Sequence, residues 1–158
     1  MTQENKPVLQ VKGLFQVGIV VRDLDESIRL YRELLGIGEW ADMEIPSEIF
    51  TTLTYNGKPV KNACFRTAMA DIGTIQIELI QPVEGNLPHS DFLKEHGEGL
   101  HHLGHIHVPD IEAAVRDLEA LGFPCTFAGS TESTKFAYMD MTQALGVIVE
   151  LIEVPQAN

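Results

Sequence analysis

The stretch "GLFQVGIVVRDLDESIRLYRELLGI" (residues 13–37) recurs in altered form as "GLHHLGHIHVPDIEAAVRDLEALGF" (residues 99–123). A shift of 86 residues superimposes the two stretches without a gap, so that Gly18 falls on Gly104. Similarity to itself at one fixed offset indicates that a chain repeats a supersecondary unit. We therefore interpret the chain as two copies of one unit.

Each copy begins with a run rich in β-branched residues, which predicts a strand, and continues with apolar residues at helical spacing. An aspartate precedes each predicted helix, Asp23 in the first copy and Asp110 in the second. Aspartate is a favourable N-cap, and the glycine after each helix, Gly36 or Gly122, suits a left-handed C-cap. Each copy therefore starts with a strand followed by a helix.

A second match, with an offset of 72, superimposes "IQIELIQP" (75–82) on "VIVELIEV" (147–154). Two further strand-like runs precede this last strand in each copy, and in the first copy they are "EIFTTLTY" (48–55) and "NACFRTAM" (62–69). Each unit is therefore predicted to be a β-α-β-β-β module in an α+β fold. The boundaries follow: an N-terminal extension at 1–12, a first module at 13–82, a linker with a short helix at 83–98, and a second module at 99–154.

The composition restricts the classes of partner. The 158 residues carry a net charge of −12, and the eleven Lys and Arg are scattered, which disfavours binding to nucleic acid or to an anionic membrane. No apolar run approaches the roughly 20 residues that span a bilayer. The polar N-terminus does not have the pattern of a signal peptide, and the two cysteines have no CxxC spacing. We therefore expect a cytoplasmic protein without nucleic-acid or membrane partners.

Four polar residues stand at equivalent places in the two copies. Gln16 and His102 are equivalent on the first strands, and Glu78 and Glu150 are equivalent on the last strands. On its strand, Glu150 shares a face with two isoleucines, and a carboxylate in apolar surroundings is costly unless it is paired, protonated or bound to a metal. One divalent cation between the copies would neutralise both carboxylates.

An amide oxygen, two carboxylates and an imidazole suit a borderline cation, namely Zn²⁺, Co²⁺, Ni²⁺, Mn²⁺ or Fe²⁺. The sequence thus nominates Gln16, Glu78, His102 and Glu150 as ligands of one divalent metal that would act as a Lewis acid. Glu150 and Glu78 are also the candidate catalytic bases, since a carboxylate can take a proton from a substrate.

Strand alternation predicts that His101, His105 and His107 face away from His102 as surface or interface residues. His101 is still a candidate to support His102 or to contact the substrate, because it adjoins His102. Arg66 and Lys135 are candidates to meet a substrate anion, with a solvated charge at a strand end as the alternative. The segment 40–58 has no repeat partner of equal length and is a candidate for substrate specificity.

The doubled β-α-β-β-β unit resembles the vicinal oxygen chelate superfamily, which includes glyoxalase I, methylmalonyl-CoA epimerase, extradiol dioxygenases and bleomycin resistance proteins. The phrases "GLHHLG", "DIEAAVRDLEALGF" and "GVIVELIE" are most similar to the epimerase branch. The resemblance implies one domain in which a curved eight-stranded mixed sheet surrounds a metal-binding cleft. It also implies a homodimer.

The ligand order Gln, Glu, His, Glu is similar to that of eukaryotic glyoxalase I. Epimerases instead start with a histidine where Gln16 stands, and they carry a second acid/base carboxylate in the region that matches residues 62–69, where this chain has none. Glyoxalase I has an arginine where Val20 stands. The resemblance implies a metal-dependent lyase or isomerase that moves a proton next to a carbonyl or thioester of a small molecule, through a metal-stabilised enolate.

Two other functions remain open at the level of sequence. A non-catalytic protein that binds a small molecule, as resistance proteins do, would use the same cleft. An extradiol-type dioxygenase would need two histidines and one glutamate around iron, and Gln16 departs from that pattern.

Overall fold

The computed structural model describes residues 6–154. Residues 1–5 of the predicted N-terminal extension lie outside the described part. The helices are α1 (Leu24–Leu35), α2 (Pro88–His96), α3 (Ile111–Glu119) and α4 (Thr142–Leu145). The strands are β1 (Gln16–Val20), β2 (Ala41–Pro46), β3 (Thr52–Tyr55), β4 (Lys58–Pro59), β5 (Cys64–Ile72), β6 (Ile75–Glu84), β7 (Gly99–His107), β8 (Cys125–Ser130), β9 (Lys135–Asp140) and β10 (Ile148–Glu153).

The strands form one mixed sheet in the order β2-β5-β6-β1-β7-β10-β9-β8-β3-β4. The first strands of the two modules, β1 and β7, pair antiparallel at the centre of the sheet. Each is parallel to the last strand of its own module, β6 or β10. This arrangement confirms the predicted curved mixed sheet. It has ten strands where the resemblance implied eight, because β3 and β4 form an additional hairpin.

The additional hairpin corrects the assignment of "EIFTTLTY". That run was expected to supply the second strand of the first module, but the strand in that position is β2, which pairs with β5. Residues 52–55 instead form β3, which pairs with β8 of the second module. The β2 sequence "ADMEIP" does alternate apolar residues (Ala41, Met43, Ile45) with acidic ones, although most of its residues are exposed, so the signal for this edge strand was present and was missed.

The connection between β2 and β3 requires the sheet to curl. In a flat sheet these two strands would stand about 38 Å apart, since eight strand spacings of about 4.8 Å separate them. Pro46 and Thr52 are six residues apart, and six residues span at most roughly 20 Å. The sheet is therefore bent into a cup.

The two faces of the cup have different cores. Helices α1 and α3 cover the outer face, where Leu24 packs with Ala68 and Leu79 and a second cluster surrounds Met139 and Leu151. The inner face carries a separate cluster that includes Leu87, Phe127 and Tyr138. Among the described residues, no helix is both long enough and apolar enough to cross a membrane.

The two modules cap the N-termini of their helices in the same way. The Asp23 carboxylate accepts the N–H of Glu26 at 3.0 Å, and the Asp110 carboxylate accepts the N–H of Ala113 at 2.9 Å. At the other ends, Gly36 is the C-cap of α1 as predicted, whereas α3 ends at Glu119 with Ala120 as its C-cap, so the prediction of Gly122 as C-cap is wrong; Gly122, with φ of 91°, lies in the turn that follows. The predicted N-caps are thus confirmed in both copies.

Replacement of either capping aspartate, Asp23→Ala or Asp110→Ala, should lower the free energy of unfolding by about 1 kcal/mol, because each leaves a helix N–H without its partner. Urea denaturation would measure this change. The control Asp23→Asn keeps a capping oxygen and should stay within about 0.5 kcal/mol of the wild type. Equal losses for the alanine and asparagine variants would contradict the assignment.

Candidate active site

The structure brings the four nominated residues together on the inner face of the cup. His102 Nε2 lies 3.6 Å from Glu78 Oε2 and 3.8 Å from Glu150 Oε2. Gln16 and His102 are fully buried, and the side chains of the two glutamates are only 14% and 11% exposed. Two strands from each module therefore contribute one polar side chain each to a single point.

Two glycines make room for this cluster. In the pairing of β1 with β7, Gln16 is opposite Gly104, and Gly18 is opposite His102. A Cβ on Gly104 would stand 2.5 Å from Glu150 Oε2 and 2.8 Å from Gln16 Oε1, and a Cβ on Gly18 would overlap the His102 ring. Sequence reasoning missed the role of these glycines, although their equivalence in the repeat was the available signal.

Two buried atoms in this cluster have no hydrogen-bond partner: Gln16 Oε1 and His102 Nε2. The amide nitrogen of Gln16 donates to Gln76 Oε1 at 2.8 Å, which leaves its oxygen directed at the cluster. Buried polar atoms without partners are rare because each costs about 1–3 kcal/mol. Together with the two carboxylates they form an N/O donor set that fits a borderline divalent cation.

The charges in the cluster favour a positive group between the carboxylates. Burial by itself lowers the pKa of His102, but Glu78 and Glu150 outweigh it, so that this pKa is raised. Burial raises the pKa of Glu150 to about 7, a shift that His102 opposes and Glu78 reinforces. The hydroxyl of Thr67 donates to Glu78 Oε1 at 2.9 Å, whereas Glu150 accepts only the backbone N–H of His105 at 3.2 Å.

Two irregularities in β7 change the direction of its histidines. The β1–β7 register shifts between Gly18 and Ile19, which makes His101 an extra residue, and the β10–β7 register shifts again beside Glu150. His101 is consequently buried, and His105, with φ of 54°, lines the same cavity as Glu150. The prediction that His101 and His105 are surface residues is wrong because a bulge interrupts alternation.

Behind the cluster lies a buried aromatic group that the sequence did not suggest. His101 Nδ1 is 3.1 Å from His102 Nδ1, and the His101 ring packs on His89 and Tyr138. His89, which lies in the predicted linker, is the second residue of α2 and is 1% exposed, with its Nε2 3.4 Å from the Tyr138 hydroxyl. Burial and the neighbouring His102 lower the pKa of His101 to about 3, so that its ring is neutral.

A cavity of about 250 Å³ opens in front of the cluster. Gln16, Glu78 and Glu150 form its polar side, together with Thr67, His105 and Tyr138. The remaining wall is apolar and includes residues of the segment 40–58 that was a candidate for specificity. These apolar lining residues are Met43, Ile45, Ile49, Phe50, Phe65, Met69, Ile80, Phe127 and Phe136.

Comparison with known proteins identifies the family of the chain. The sequence model described as the glyoxalase/bleomycin resistance protein/dioxygenase superfamily matches residues 15–138. The chain belongs to this superfamily. It is homologous to methylmalonyl-CoA epimerase: the mitochondrial enzyme of Mus musculus is 29% identical over 118 residues, which cover 74% of this chain and 57% of the mouse protein. The chain thus spans a little over half the length of that relative.

Solved structures of the superfamily share the fold. Methylmalonyl-CoA epimerase from Mycobacterium tuberculosis is 26% identical, with a TM-score of 0.66, and the match covers 92% of this chain and 90% of that one. A methylmalonyl-CoA epimerase in complex with methylmalonyl-CoA and NH4+ is 20% identical, with a TM-score of 0.65 and coverage of 92% and 96%. At that identity the second match supports the fold alone.

Two of the nominated residues, Arg66 and Lys135, lie away from the cavity in front of the cluster. Arg66 forms ion pairs with Asp25 at 3.0 Å and Asp42 at 2.7 Å. Lys135 pairs with Glu112 at 2.8 Å and Glu153 at 3.3 Å. Each is adjacent in sequence to a cavity-lining residue, and strand alternation directs it to the opposite face. The structure therefore does not bring Arg66 or Lys135 to the nominated site.

The buried His89 should make folding sensitive to acid. Burial lowers the pKa of His89 well below its usual value, and the neighbouring His101 and His102 lower it further. The folded protein therefore keeps His89 neutral, while the unfolded chain protonates it near pH 6.5. The contribution of His89 to the free energy of unfolding is therefore fully present above pH 6.5 and is lost as the pH drops below that value. Between pH 7.5 and 5.5 the loss should be about 1 kcal/mol.

Urea denaturation of the wild type and of His89→Leu at these two pH values would measure this loss. The variant should show a smaller decrease than the wild type. His96→Leu is the matched control, because His96 lies on the same helix and is exposed. If His89→Leu and His96→Leu lose the same stability on acidification as the wild type, His89 does not contribute to the acid sensitivity.

Proposed function

We propose that this protein is a metal-dependent enzyme that transfers a proton next to a carbonyl or thioester group of a small molecule. The observation that carries the proposal is the convergence of Gln16 Oε1 and His102 Nε2, which have no hydrogen-bond partner among the described residues, with the buried carboxylate of Glu150 and the largely buried one of Glu78. Homology to methylmalonyl-CoA epimerase, an isomerase, supports an enzyme of this kind. The homodimer and the cytoplasmic location remain predictions.

Gln16, Glu78, His102 and Glu150 would hold the cation, which we propose to be Zn²⁺, Co²⁺, Ni²⁺, Mn²⁺ or Fe²⁺. When bound, such an ion supplies Lewis-acid polarisation of the substrate's carbonyl oxygen, which makes the neighbouring C–H more acidic. His102 has to offer the lone pair of Nε2, so that its Nδ1–H donates to Nδ1 of neutral His101. This contact makes His101 a positioning residue for the ligand, as partners of metal-bound imidazoles are elsewhere.

The two carboxylates are suited to different roles. Glu150 is the better base, because burial brings its pKa close to neutrality, where a carboxylate can both accept and return a proton. The Thr67 hydroxyl fixes Glu78, which suits a residue that stays in place as a ligand. The apolar wall of the cavity would keep water from quenching the carbanion that forms when Glu150 removes the proton.

Proton transfer on one face of the substrate agrees best with the cavity. On β5, the residues that line it are Phe65, Thr67 and Met69, none of which is an acid or base near neutral pH. Among the described lining residues, the carboxylates are Glu78 and Glu150 alone. A reaction in which Glu150 takes a proton and returns it to a neighbouring carbon needs no second carboxylate, so we favour isomerisation of the glyoxalase I type over two-base epimerisation.

The glycine opposite Gln16 offers a test of the metal site. Gly104→Ala should reduce the affinity for Co²⁺ at least a hundredfold, because the added methyl group would occupy the space between Gln16 Oε1 and Glu150 Oε2. Titration calorimetry of the metal alone would measure this affinity. Gly38→Ala is the control, since a Cβ there meets nothing within 4 Å. Tight Co²⁺ binding by a folded Gly104→Ala protein would refute the site.

The role of Glu150 is tested by proton exchange. The Co²⁺-loaded wild type should incorporate deuterium from D₂O into a thioester or into a glutathione hemithioacetal of an α-ketoaldehyde, as followed by NMR. Glu150→Gln should reduce the rate at least a thousandfold while the circular dichroism spectrum stays unchanged, since the amide has the same shape and cannot take the proton. Glu39→Gln, at an exposed position, should exchange at the wild-type rate.

A protein that binds no metal and exchanges no deuterium into either class of probe would instead be a non-catalytic binding protein. Oxygen consumption by the iron-loaded protein in the presence of a catechol would indicate a dioxygenase.

A further inference from the structure

The cavity in front of the four nominated residues has no lysine or arginine among its described lining residues. Nine of the fifteen lining side chains are hydrophobic aliphatic, thioether or phenylalanine groups. The polar ones are two carboxylates, an amide, a threonine, a tyrosine and the imidazole of His105. The wall therefore offers no permanent positive charge to a substrate.

The strands that build this wall do carry cationic side chains, but on their other face. Arg66 is next to the lining residue Thr67, and it is held by Asp25 and Asp42. Lys135 is next to the lining residue Phe136, and Glu112 and Glu153 hold it. Both cations are thus neutralised by surface carboxylates and are separated from the cavity by the sheet.

The charges at the bottom of the cavity already balance when a divalent cation is bound. Glu78 and Glu150 contribute two negative charges, and the cation contributes two positive ones. A free carboxylate at the reacting end of a substrate would add a third negative charge beside Glu78 and Glu150, and a wall without Lys or Arg would leave that excess charge uncompensated. An uncharged carbonyl group would leave the balance intact.

We propose that this cavity selects substrates whose reacting end is uncharged and carries apolar substituents, and that it rejects substrates with a free carboxylate beside the carbonyl. The inference rests on the proposed function, since it names the substrate class of the same site. It separates this chain from its homologue in the solved complex with methylmalonyl-CoA, whose acyl group has a free carboxylate.

The size of the cavity agrees with this assignment. A volume of about 250 Å³ is just below the range of roughly 300–1,000 Å³ that is usual for whole small-molecule ligands. The cavity thus receives the reacting end of a substrate, while any larger carrier group remains outside. Met43 and Ile49, which are 41% and 49% exposed, stand at the opening and are the wall residues that a substituent would pass.

The test compares two thioesters of N-acetylcysteamine that differ in charge and have similar shape. One carries the methylmalonyl group, and in the other an isopropyl group replaces the carboxylate, which gives a 2,3-dimethylbutanoyl group. Titration calorimetry with the Co²⁺-loaded protein should show at least tenfold tighter binding of the isopropyl compound. Equal or tighter binding of the methylmalonyl compound would overturn the inference.

A variant at the opening tests whether charge is the cause of the preference. Met43→Lys places an ammonium group at a half-exposed lining position, and it should reduce the preference for the isopropyl compound at least fivefold by strengthening binding of the methylmalonyl compound. Met43→Gln is the matched control of similar length without charge, and it should keep the wild-type preference. Unchanged preference in a folded Met43→Lys protein would count against charge as the reason.

These binding measurements are independent of turnover, so the two proposals can fail separately. Deuterium exchange with neither class of probe would overturn the proposed function, even where the isopropyl compound binds more tightly. Exchange together with preferred binding of the methylmalonyl compound would support the proposed function and overturn the inference on substrate class.

Discussion

The antiparallel pairing of β1 with β7 is the contact on which the rest of the site depends. It sets Gln16 against Gly104 and Gly18 against His102, so each module supplies one polar residue and the space for the polar residue of the other. The parallel neighbours β6 and β10 then add Glu78 and Glu150 from either side. A single module contains only half of this arrangement, which explains why two copies of the unit share one chain and one sheet.

The cluster at this junction is unfavourable for the protein taken alone. The buried carboxylate of Glu150 and the largely buried one of Glu78 lie near the His102 imidazole, and among the described residues Gln16 Oε1 and His102 Nε2 have no hydrogen-bond partner. Such groups are tolerated where a ligand compensates for them, and perturbed titration behaviour of this kind is characteristic of functional sites. The histidines behind the cluster add to the cost, because His89 and His101 are kept neutral by burial. Stability is thus lowered in the region that supplies the proposed chemistry.

The insertion in the first module determines the shape of the cavity rather than its chemistry. Its hairpin of β3 and β4 pairs with β8 of the second module and so connects the two ends of the curled sheet. The turn that leads into this hairpin contributes Ile49 and Phe50 to the wall, next to Met43 and Ile45 of β2. The catalytic type would therefore depend on the repeated strands, which the two modules share, while selectivity would depend in part on an insertion that has no counterpart in the second module.

The sequence by itself determined the two modules, the N-caps of their helices and the four candidate residues, because these features follow from local periodicity and from comparison of one copy with the other. Only the tertiary structure decided the direction of His101 and His105, since the bulges in β7 arise from pairing with β1 and β10. It also decided the burial of His89 and the pairing of β3 with β8. Contacts between residues far apart in the chain fix these features, and no local pattern encodes them.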